Sequence, residues 1–124
     1  MPASPSRPLR RQLLLAAGAL FVSRGAAHAA TPQSVTVYKT PYCGCCKGWI
    51  THMIRAGFKI TVREVEDLNP IRARYGVPFK LSSCHTALAG GYVIEGHVPP
   101  QDVARLLAQR PKALGLAVPG VDLR

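Results

Sequence analysis

Apolar and polar positions first alternate over Ser34 to Lys39, with Val35 and Val37 on one face and Tyr38 on the other, which predicts a strand. Pro41 opens a turn after it. The period then changes. Cys46, Trp49, Ile50, Met53 and Ile54 recur at i, i+3, i+4, i+7 and i+8, one face of a helix that starts near Gly44 or Cys45 and runs to Ala56, with Gly57 as its stop. Alternation returns from Phe58 to Val65, where Phe58, Ile60 and Val62 oppose Lys59, Thr61 and Arg63, and predicts a second strand. Asn69-Pro70 predicts a helix start, Asn as cap and Pro at the first helical position, and Gly76 ends that short helix. Leu81 to Ala89 and Tyr92 to Glu95 read as two strands around a Gly90-Gly91 turn, a hairpin. Pro99-Pro100 opens a last helix with Val103, Leu106 and Leu107 facing inward, stopped before Pro111. Leu114 to Arg124 carries Gly and Pro without a period and is read as irregular.

The order is therefore strand, helix, strand, helix, strand, strand, helix. A right-handed crossover makes the first two strands parallel neighbours, and the whole predicts a small α/β sheet of about four strands flanked by helices. The 124 residues suit one domain, and 48% hydrophobic residues permit a packed core. Ahead of that domain, Arg7, Arg10 and Arg11 precede an uncharged apolar run, Leu13 to Val22. Ala27-His28-Ala29 then supplies small residues at the −3 and −1 positions of a cleavage site. This pattern predicts a signal peptide over residues 1–29 and a mature domain over 30–124 that begins at Ala30. The apolar run is too short to span a bilayer, so no membrane span is expected after cleavage. Arg10-Arg11 hints at the twin-arginine route, and the general secretory route stays open. Of the formal net charge of +10, four units belong to Arg7, Arg10, Arg11 and Arg24 of the leader, which leaves +6. The remaining basic residues are scattered and form no block. With export, this argues against a nucleic-acid partner.

Chemistry enters with the cysteines. Cys43, Cys45 and Cys46 lie together, and Cys84 stands apart beside His85. The first three sit at a strand-to-helix junction, where free helix N–H groups and the positive end of the helix dipole favour thiolates. Cysteines at that junction, in this element order, look like the thioredoxin fold, whose Cys-x-x-Cys spacing is met by Cys43 and Cys46. The extra Cys45 departs from it. Structural disulfides are one use of four cysteines in an exported chain. Cys43 and Cys46 are the only comfortable local pair, and Cys45 with Cys84 requires the fold to bring them close. Metal is the second use. Clustered thiolates select Cu(I) or borderline zinc, and adjacent cysteines that point apart suit a multinuclear copper–thiolate site with bridging sulfurs. The spaced pairs usual for zinc are missing, and an iron–sulfur cluster needs another spacing. Thiol–disulfide exchange through Cys43 and Cys46 is the third use. It needs two cysteines, whereas a cluster uses all four.

The histidines sharpen the metal reading. His85 places an imidazole directly after Cys84 and is a candidate ligand. His97, after Gly96 and before Pro99, reads as a loop histidine that hydrogen-bonds the backbone, with ligation left open. His52 lies two helical turns from Cys45, roughly 10 Å along the axis, so it cannot share an ion with Cys45 and reaches at most the edge of a larger site. Met53 shares the apolar helical face and reads as core, although a thioether can bind Cu(I). The candidate metal ligands are Cys43, Cys45, Cys46, Cys84, His85 and His97.

Several stretches together carry a resemblance: Tyr42-Cys43-Gly44-Cys45-Cys46-Lys47-Gly48-Trp49, Gly76-Val77-Pro78, Ser83-Cys84-His85-Thr86-Ala87, Gly91 to Pro99, and Gly115-Leu116-Ala117-Val118-Pro119-Gly120. They resemble the CopG-like family of exported bacterial copper-resistance proteins over nearly all of the mature chain. The resemblance implies a periplasmic, thioredoxin-like domain that binds copper through its cysteines in copper resistance and homeostasis. It leaves open a multinuclear Cu(I) cluster, a redox role between copper states, and other periplasmic copper-handling proteins as partners. A thiol–disulfide oxidoreductase using Cys43 and Cys46 is the alternative. A thioredoxin-like fold also implies that the loop before the third strand, where a cis-proline usually sits, faces the cysteine-bearing helix start. Cys84-His85 would then stand at that place, with Pro78 further out.

Overall fold

The computed structural model describes residues 31–119. The expected leader over residues 1–29 and its cleavage point lie outside the described residues. Three helices and five strands follow in the order β1 (Ser34–Lys39), α1 (Gly44–Arg55), β2 (Lys59–Glu64), α2 (Asn69–Tyr75), β3 (His85–Ala89), β4 (Tyr92–Glu95), α3 (Pro100–Gln109) and β5 (Gly115–Ala117). A single 3-10 turn, Phe79–Leu81, lies between α2 and β3. The strands form one mixed sheet in the order β2-β1-β3-β4-β5. β1 runs parallel to β2, as the crossover through α1 requires. β3 is antiparallel to both β1 and β4, and β4 and β5 are parallel.

The sheet has five strands where the sequence pattern predicts about four. The additional strand, β5, falls in the stretch read as irregular. It is three residues long at a sheet edge, too short for any alternation to show. Its first residue, Gly115, pairs with Val93, and a Cβ there would run into the Val93 carbonyl. Two boundaries also differ from the sequence reading. The strand expected from Leu81 begins only at His85, because the residues before it turn and fold back toward α2. α2 begins at Asn69 itself, so the cap position falls to Leu68, which has no side-chain acceptor, and the Asp67 carboxylate before it accepts the Asn69 N–H at 2.9 Å.

The core forms where α1 and α3 meet the sheet. Val35 and Val37 of β1, Ala87 and Ala89 of β3 and Ile94 of β4 pack in one buried cluster with Trp49, Met53, Val103 and Leu106. The buried stripe of α1 is Cys46, Trp49 and Met53, with Ile50 partly covered. Ile54, expected on that stripe, is 55% exposed. β2 is an edge strand, so the sheet beneath that end of α1 runs out. Tyr38 takes the opposite face, its ring centroid 6.5 Å from that of Tyr75 on α2. Gly90 and Gly91 both have positive φ, as a two-residue hairpin turn requires. Among the described residues, no helix is long and apolar enough to cross a membrane.

Candidate metal centre

β1 ends at Lys39, the chain turns through Pro41 and Tyr42, and α1 starts with Cys43 as the residue before its first turn. No side chain caps that helix start. Cys43 and Cys46 are one turn apart, with Cα atoms separated by 5.6 Å, and are joined as a disulfide. Cys45 and Cys84 are free thiols. The two do not bond to each other, so the second structural cross-link weighed from the sequence is not made. Cys45 is exposed, and its Sγ lies 3.4 Å from Cys43 Sγ. Cys46 is fully buried, and its Sγ lies 3.7 Å from the carbonyl oxygen of Cys84. Because β3 pairs with β1, Lys39 stands opposite His85, and the residue before β3 is carried to the start of α1. The sulfurs of Cys43, Cys45, Cys46 and Cys84 all lie within 4.8 Å of one another.

A second group of donors overlaps the first. Cys46, Cys84, His85 and His97 also place one ligand atom each within 4.8 Å of the others. His85 is fully buried, with its ring centroid 4.2 Å from Trp49 and 5.4 Å from His97. Its Nδ1 is 3.5 Å from Cys84 Sγ. Among the described residues, the Nε2 atoms of both His85 and His97 are buried without a hydrogen-bond partner, so His97 Nε2 does not make the backbone bond expected of a loop histidine there. A buried polar atom without a partner is costly and rare, and a bound cation is one way to satisfy it. Burial above all, then the His97 ring and the Arg72 charge, lowers the His85 pKa from 6.5 to about 4, against the opposing pull of the Gly96 backbone. At neutral pH His85 therefore has a free lone pair. Burial, followed by the neighbouring Cys45 thiol, raises the Cys84 pKa to about 11. Without metal, Cys84 keeps its proton, which a bound metal ion would displace.

His52 is exposed and belongs to neither group. It lines a cleft of about 440 Å³ together with Cys45, Trp49 and His97. Met53 is fully buried in the core cluster, as its helical spacing predicts. Pro78 precedes the 3-10 turn, away from the start of β3, and the described residues contain no cis peptide bond.

Two residues beside this centre carried no signal in the sequence. Glu95, the last residue of β4, is 1% exposed and pairs with Arg72 of α2, whose Nε donates to Oε1 at 2.8 Å. The same Oε1 accepts the Ser83 backbone N–H at 2.8 Å, and Oε2 accepts the Thr86 hydroxyl at 2.6 Å. Arg72 also donates from its terminal nitrogen to the Ser83 carbonyl. Glu95 reads from the sequence as an ordinary strand-end carboxylate, and nothing in the 23-residue separation links it to Arg72.

Fold and site together define a small α/β protein with a pocket of thiols and imidazoles suited to a soft metal ion. Two solved structures similar to this chain carry titles concerned with copper. A solved structure titled "Copper resistance protein copG- Form 2" is 41% identical, superposes with a TM-score of 0.69, and is matched over 73% of this chain and 72% of its own. Its companion, "Copper resistance protein copG- Form 1", is also 41% identical, with a TM-score of 0.68 over 73% of this chain and 71% of its own. A family model described as "Protein of unknown function, DUF411" matches residues 81–123. No curated protein matches the chain. The chain belongs to the CopG-like family of copper-resistance proteins.

Proposed function

We propose that this protein binds Cu(I) in copper resistance, holding more than one ion on bridging cysteine sulfurs. The observation that carries the reading is the pair of overlapping donor groups, which share Cys46 and Cys84. Sulfurs common to two groups are where bridging between two ions is geometrically economical. Cys45 stands at the exposed side of the centre and Cys46 and His85 at the buried side, with Cys43, Cys84 and His97 half-buried between them. A dithiol reductant that gives two electrons and two protons, itself leaving as a disulfide, frees both sulfurs of the Cys43–Cys46 pair as thiols. Copper then displaces the thiol protons, so binding weakens on acidification. The leader predicted over residues 1–29 directs the protein to the periplasm, where other copper-handling proteins are its natural partners. The strand order and the placement of the cysteines at the β1–α1 junction support a thioredoxin-like reading of the fold.

Anaerobic purification of the reduced mature form, with metal analysis and Cu(I)-chelator competition, tests this. The expected result is more than one copper per chain, bound more tightly than zinc. A single copper at saturation, or tighter zinc, overturns the cluster. The disulfide itself favours a second reading, thiol–disulfide exchange through Cys43 and Cys46. Insulin reduction by the metal-free protein tests that reading, and equal activity with copper bound would separate the exchanging thiols from the metal site.

A further inference from the structure

The ion pair of Glu95 with Arg72 has no evident reason to exist as a contribution to stability. Taking two charges out of water is costly before their attraction is counted, and apolar replacements of buried pairs are often neutral or stabilising. What the pair does is geometric. Its bonds reach three segments: α2 through Arg72, the loop before β3 through Ser83, and β3 itself through Thr86. Ser83 and Thr86 are the two neighbours of Cys84-His85. The dipeptide is thus gripped on both sides, and Arg72 closes the ring by also holding the Ser83 carbonyl. The residue after Glu95 continues the hold, because Gly96 N–H donates to the His85 carbonyl at 3.0 Å. Gly96 has φ +78, and a Cβ there would lie 2.5 Å from Ser83 Oγ and 2.6 Å from the Val118 carbonyl. The loop can therefore close this tightly over Ser83 only with glycine. His97 comes next, so one stretch of chain fixes both histidines relative to Cys84.

We propose that Arg72 and Glu95 are positioning residues for the metal centre, a charged clamp that holds Cys84-His85 against Cys46. The proposal rests on the copper reading for its consequence and on the clamp geometry for its mechanism. Neither residue offers a ligand atom to the two donor groups. Partners of this kind, one step removed from the ligands, typically change metal affinity 10- to 100-fold when lost, on the order of what is expected here. The test is Arg72→Met combined with Glu95→Leu, which removes both charges together. Arg72→Met with Glu95→Gln serves as a second variant that keeps an acceptor for Ser83 if the first does not fold. Two readouts apply to the folded variant: Cu(I) affinity by chelator competition, and the alkylation rate of Cys84 relative to Cys45 in metal-free oxidised protein. The expected result is weaker copper binding and faster Cys84 labelling, with the circular dichroism spectrum retained. A purely structural role would lower the unfolding midpoint and leave both readouts at wild-type values, which overturns the proposal. If the wild-type chain holds no copper, the copper reading fails alone. The labelling ratio then decides on the clamp, and an unchanged ratio overturns it.

Discussion

At His85, burial and a neighbouring imidazole act in the same direction, and the consequence can be measured without metal. The unfolded side chain titrates near 6.5 and the native one near 4. Between those values the unfolded chain binds the extra proton, so the contribution is complete above pH 6.5 and is lost as pH falls toward 4. The metal-free protein should lose roughly 2 kcal/mol of stability between pH 7 and pH 5 from this group. Urea unfolding of wild type and His85→Phe at both pH values checks it, and an equal slope in the two proteins refutes it. Cys84→Ser removes one sulfur from both donor groups while leaving no core cavity, because Cys84 is only half-buried. Copper stoichiometry is expected to fall with the circular dichroism spectrum unchanged, and an unchanged copper content would reduce the site to the three clustered cysteines. At this scale the thiols and His85 were legible because their types and adjacency announce soft-metal chemistry. Arg72 and Glu95 were not, since their role exists only once α2 and β4 are packed together.

Among the elements, β1 and α1 were readable almost to the residue. Val35 and Val37 alternate, Pro41 breaks the strand, and Gly57 ends the helix with a φ of +95. β5 was not, because an edge strand of three residues is defined by its neighbour and not by its own pattern. The sequence pattern also starts β3 too early: Leu81 is apolar and continuous with the run to Ala89, yet the 3-10 turn and the bond from the Ser83 N–H to Glu95 bend the stretch before His85 away from the sheet. The disulfide at the start of α1 closes a loop of minimal length, its cysteines separated by three positions. In the chain-entropy account so short a loop contributes only about 2 kcal/mol. Reduction should therefore lower the thermal midpoint of the metal-free protein modestly and leave it folded. Loss of the cooperative transition on adding reductant would show that the bond is structural and not a store of available thiols.

For the molecule as a whole, the expected product of export is the chain from Ala30, and the intact mass of protein from a periplasmic fraction reads this directly. A retained leader in that fraction would remove the argument for export. The sheet order has a different consequence, in time and not in space. The central seam pairs β1 with β3, whose residues are separated by about fifty positions, and closing so long a loop is slow compared with forming α1 or the β3–β4 hairpin. During folding, Cys43, Cys45 and Cys46 are together from the outset, whereas Cys84, His85 and His97 join them only when the seam closes. On the copper reading proposed above, a reduced chain that meets copper before that moment offers half a site, with three thiols to capture ions in arrangements the finished sheet does not admit. Refolding with Cu(I) present should therefore be slower than refolding first and loading afterwards, which makes the order of the two events part of the protein's chemistry.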